Sequence, residues 1–69
     1  MEQVAALNFH DLEENCAGYA GVRASRGVVA LAVSLEKLGD TEVFVTPQQA
    51  RELASALENA ARRAEGGKR

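Results

Sequence analysis

Sixty-nine residues and 7.3 kDa provide for one small domain with one modest core. Thirteen of the hydrophobic residues are alanine and only Phe9, Tyr19 and Phe44 are aromatic, yet 46% hydrophobic with both signs of charge excludes a disordered tail. A single cysteine excludes a disulfide-stapled scaffold. The apolar runs are too short to cross a bilayer and no signal-peptide pattern opens the chain, so a cytoplasmic, reducing setting is expected.

The net charge of −2 is unevenly placed. Residues 1–61 hold four basic and nine acidic side chains, whereas residues 62–69 hold four basic side chains against Glu65. An acidic body is a poor electrostatic footprint for nucleic acid, so nucleic acid is disfavoured as a partner. A nucleic-acid-binding accessory role would need Arg23, Arg26 and the basic C-terminal residues to form one patch. The expected organisation is one domain over 1–65 and a flexible basic tail over 66–69.

Along the chain, Ala5, Leu7 and Phe9 alternate, so Gln3 to Phe9 reads as an edge strand and His10 to Asn15 as a polar connection. A short helix from Asp11 to Tyr19 is the rival reading, weakened by Gly18. Val28 to Leu35 alternates with period two, and Arg26-Gly27 before it is a turn dipeptide. Taking those two residues as the turn pairs Ser25 with Val28, Ala24 with Val29, Val22 with Leu31, Ala20 with Val33 and Gly18 with Leu35. The large residues then share one face with the small apolar ones of Cys16 to Ala24, which supports the hairpin.

The second hairpin is less determined. Gly39-Asp40 as a two-residue turn sets Lys37 opposite Glu42 and Leu35 opposite Phe44, leaving Val43 and Val45 on the far face. A one-residue slip turns both valines inward but sets Glu36 against Glu42, so the first register is preferred. Thr46-Pro47-Gln48-Gln49 is a helix start, with Thr as N-cap, Pro at the first helical position and Gln completing a capping box. Ala50, Leu53, Ala54, Leu57, Ala61 and Ala64 then form one apolar stripe, predicting a helix from Pro47 to about Ala64. The fold expected is α+β: an antiparallel meander sheet of three or four strands with the C-terminal helix on one face. Its main core would be Leu31, Val33, Phe44, Leu53 and Leu57.

No motif carries a strong chemical signal. His10, Asp11 and Cys16 are the residue types of an activated thiol, but their spacing matches no catalytic signature, and Cys16 reads as a buried structural residue. Two Cys or His residues cannot make a structural zinc site, and Asp11, Glu13 and Glu14 lack the glycine and terminal glutamate of a calcium loop. No catalytic residue, cofactor or metal is expected. The segment from Val43-Phe44-Val45-Thr46-Pro47 through Ala60-Ala61 resembles the strand-then-helix ending of many small uncharacterised proteins of actinobacteria and their phages. That resemblance covers about a third of the chain, implies no activity and points toward a phage or another mobile element, where small inhibitors are common.

The function expected is therefore a non-enzymatic protein-interaction module, acting by occupying a protein surface. Its candidate interaction face is the sheet face away from the helix, presenting Tyr19, Val28, Ala30 and Ala32, with Val43 and Val45 in the preferred register. Self-association as a homodimer, or pairing with another protein, would cover that face. The competing account is that the N-terminal ten residues fold back over it. A thiol-dependent enzyme centred on Cys16 is a further alternative.

Overall fold

The computed structural model describes residues 1–66. Strands β1 (Glu2–Asp11), β2 (Cys16–Ser25), β3 (Val28–Leu35) and β4 (Gly39–Val45) form one antiparallel sheet in the order β1-β2-β3-β4, and α1 (Pro47–Gly66) follows. This is the α+β meander with a C-terminal helix that the patterning implies. Of the tail assigned to 66–69, Gly66 belongs to α1 and 67–69 lie outside the described residues.

The β2–β3 hairpin has the expected register throughout, from Ser25 opposite Val28 to Gly18 opposite Leu35. Gly27 sits at φ 76°, a conformation with no steric cost for glycine, which lets Arg26-Gly27 close the turn. Residues 2–11 do not fold back over the sheet. They extend it, pairing with β2 from Glu2–Ala24 to Asp11–Cys16, with Val4 bulged between Gln3 and Ala5. The rival helix over 11–19 is replaced by a tight turn, in which the Asn15 N–H donates to the Asp11 carbonyl (2.8 Å) and the Glu14 N–H to Asp11 Oδ2 (2.7 Å). Asn15 adopts φ 55°, which asparagine tolerates better than most residues.

The second hairpin departs from the preferred register. Leu35 faces Gly39, not Phe44, so Leu31 faces Val43 and Val29 faces Val45. Glu36, Lys37 and Leu38 make the turn, with the Leu38 N–H donating to the Leu35 carbonyl (3.1 Å) and Gly39 at φ 92°. Three gains replace the lost Lys37–Glu42 pair. Two valines turn inward, Glu42 pairs with Arg23 across β3, and Ser34 Oγ donates to Asp40 Oδ1 (2.7 Å). Lys37 instead donates to the Glu14 carbonyl (3.0 Å), tying the two loops at that end of the sheet.

Helix α1 starts as its sequence dictates. Thr46 Oγ1 accepts from the Gln49 N–H (3.1 Å) and Gln49 Oε1 accepts from the Thr46 N–H (3.0 Å), a complete capping box. Its packing is the correction to the expected core. No residue of α1 is buried: Leu53 is 43% and Leu57 62% exposed, and Val33 and Phe44 are exposed as well. The helix meets the sheet mainly at β3, through Ala50, Leu53, Ala54 and Leu57 over Val22, Val29, Leu31, Val43 and Val45. An apolar crevice of about 250 Å³ remains between them. Among the described residues the buried positions are Cys16, Gly18, Gly21 and Ala30, all small.

Candidate functional site

The register assigns every strand residue to a face. The helix side carries Ala5, Leu7, Phe9 and Asp11 of β1, and Cys16, Gly18, Ala20, Val22 and Ala24 of β2. It continues with Val29, Leu31, Val33 and Leu35 of β3, then Thr41, Val43 and Val45 of β4. The far side carries Tyr19, Gly21, Arg23 and Ser25, then Val28, Ala30, Ala32 and Ser34, then Asp40, Glu42 and Phe44. Val43 and Val45, assigned to the candidate interaction face, therefore lie under the helix, and Phe44 takes their place. The two valines gain cross-strand partners Leu31 and Val29 there, while a single phenylalanine is left outside.

Tyr19, Val28, Ala30 and Ala32 share the far face, with Val28 at the β2–β3 turn end and Tyr19 toward the other end, opposite Ser34. That face is not continuously apolar. Ala30 is only 1% exposed, because Arg23 and Phe44 stand directly opposite it on either side. The Arg23 guanidinium crosses β3 to reach the Glu42 carboxylate. Beside this bridge, Gly21 and Ala32 form the floor of a depression of about 610 Å³, walled by Tyr19, Arg23, Ser34, Asp40 and Glu42. The Tyr19 hydroxyl end lies over Gly21, so near that a Cβ there would sit 3.0 Å from the oxygen. Small residues thus make the hollow, and an aromatic, a guanidinium and two carboxylates surround it.

The thiol constellation is taken apart by the pleat. Asp11 and Cys16 form a cross-strand pair on the helix side, whereas His10, one residue along, points to the opposite face. Its Nε2–H donates to Asn15 Oδ1 (2.7 Å), and Cys16 is a buried free thiol. Arg23 is held by Glu42, Arg26 stands in the β2–β3 turn, Arg62 and Arg63 lie in α1, and Lys68 and Arg69 fall outside the described residues.

The preferred register kept Phe44 off the far face, although the alternative slip placed it there, and Glu42 and Asp40 were not foreseen as its members. The available signal was the alternative parity of β4, which exchanges Phe44 for the two valines. Among the described residues no helix is long and apolar enough to cross a membrane. No family model, curated protein or solved structure matches the chain.

Proposed function

We propose that this chain is a non-enzymatic protein-interaction module that binds a basic protein surface through the sheet face away from α1. The observation that carries this reading is that one sheet face holds Tyr19 and Arg23 beside the hollow over Gly21 and Ala32, with Phe44 across Ala30 from Arg23. Aromatic and arginine side chains are enriched among the residues that dominate binding energy at protein interfaces, and here they stand on strands, Tyr19 and Arg23 on β2 and Phe44 on β4. Phe44 is 60% exposed, an apolar ring with room for a partner on the outer side. The charge supports a basic counterpart, since residues 1–61 carry nine acidic against four basic side chains and Asp40 and Glu42 border the depression. Proteins that handle nucleic acid present basic surfaces, so occupying one would inhibit such a protein. The separation of His10 from Cys16 by the sheet supports a non-catalytic role.

The test is capture by the immobilised full chain from the native host, followed by titration of each captured protein in solution. A partner of this interface loses at least about tenfold in affinity with Tyr19→Ala or Phe44→Ala, the size of one hot-spot residue, and weakens as salt rises. Partners that bind both variants as tightly as the wild type would remove the assignment.

A further inference from the structure

The helix side of the sheet raises a separate question. The chain exposes 5506 Å², whereas a compact monomer of its mass exposes about 4,200 Å². Its radius of gyration is 13.7 Å, against about 11 Å for a compact domain of this length. The excess surface, about 1,300 Å² by the same scaling, exceeds the roughly 800 Å² that each partner buries in a standard stable interface.

The source of the excess can be located. Helix α1 covers one part of the sheet and leaves Leu7 and Val33 exposed on either side of the half-buried Ala20, with Leu7 62% exposed. Phe9 and Leu35, half-buried, continue that surface along the same face. No charged side chain stands among these five. On the helix, the residues lining the crevice end at Leu57, and Ala61 and Ala64, which prolong the stripe, are exposed. One chain therefore leaves part of a sheet face exposed and, at the C-terminal end of α1, part of an apolar stripe exposed.

We propose that a second copy of this chain covers this face. The two protomers pack about a two-fold axis, each α1 lying across the open Leu7–Ala20–Val33 surface of the other while keeping its N-terminal half on its own sheet. A two-fold axis satisfies both deficits at once, because the missing layer of each protomer is the surplus element of the other. The exposed Leu53 and Leu57 become core residues of the assembly, and the apolar crevice is closed. This use of the helix side leaves the Tyr19–Phe44 face outward on both protomers, so it goes beyond the binding function proposed above and does not depend on it.

Sedimentation equilibrium of the full chain at micromolar and higher concentrations tests the pairing, with circular dichroism as the check on folding. The expected result is a wild-type dimer, and folded monomers or at least tenfold weaker dimers for Leu7→Lys and Leu57→Lys. Leu7 is exposed in the single chain, so Leu7→Lys reads the interface even where Leu57→Lys fails to fold. A monomeric wild type, or a Leu7→Lys dimer as tight as wild type, overturns the proposal. Phe44→Ala is expected to remain dimeric, and a loss of partner binding with an intact dimer separates the two faces.

Discussion

The ring of Phe9 lies against Gly18, its cross-strand partner, and meets Leu35 from the far side of the same row. Three strands are thereby joined at one point on the helix side, at the end of the sheet that α1 does not reach. Gly18 is buried because the ring covers it, and it has no side chain because the ring needs that space.

Gly18→Ala is therefore expected to destabilise the fold. A Cβ at this position would enter the Phe9 ring and stand 2.9 Å from Leu35 Cδ2, so the ring must tip outward. The expected loss is about 1–3 kcal/mol, the usual cost of overpacking, measured by urea unfolding. Gly21→Ala is the control. The nearest atoms to its Cβ belong to the hydroxyl end of the Tyr19 ring, at 3.0–3.4 Å, so stability should change less while the tyrosine is displaced from its depression. Equal losses for the two variants would show that Phe9 does not hold its place in solution.

Thr46→Ala removes the acceptor for the Gln49 N–H and breaks the reciprocal box. The expected cost is about 0.5–2 kcal/mol, with reduced helical signal in circular dichroism and unchanged partner binding. Unchanged stability would mean that the first turn of α1 contributes nothing to the folded state.

Leu57→Ala separates the single chain from the assembly. With Leu57 62% exposed, truncation should change stability by no more than about 0.5 kcal/mol where the chain is monomeric. At concentrations that favour the dimer the variant's Tm should fall progressively below that of the wild type, because assembly stabilises by mass action. A loss of about 2–5 kcal/mol at every concentration would instead place Leu57 in the core of a single chain.

Cys16 is 5% exposed and pairs with Asp11 under the β1–β2 turn. Its thiol should react with an aromatic disulfide reagent far more slowly in the native protein than in urea, and folded Cys16→Ser should keep full partner binding. Rapid native-state labelling would show that the β1–β2 end opens readily.

The sequence by itself determined the local features. Arg26-Gly27, the clean alternation of Val28 to Leu35 and the Thr46-Pro47-Gln48-Gln49 cap are short-range signals, each satisfied by residues within a few positions, and each appears where the chain places it. The register of β4 was decided by tertiary structure, because it depends on partners remote in sequence. Glu42 reaches Arg23 across β3, and Val43 and Val45 are drawn beneath α1 to face Leu31 and Val29. A local charge pair between Lys37 and Glu42 could not outweigh the inward turn of two valines. The core was also decided at that level. The helical stripe fixed which side of α1 is apolar, but with alanine at most of its positions it holds only two large side chains to bury. Whether Leu53 and Leu57 end in a core therefore depends on a second surface, and the sheet of one chain is wider than one helix can cover.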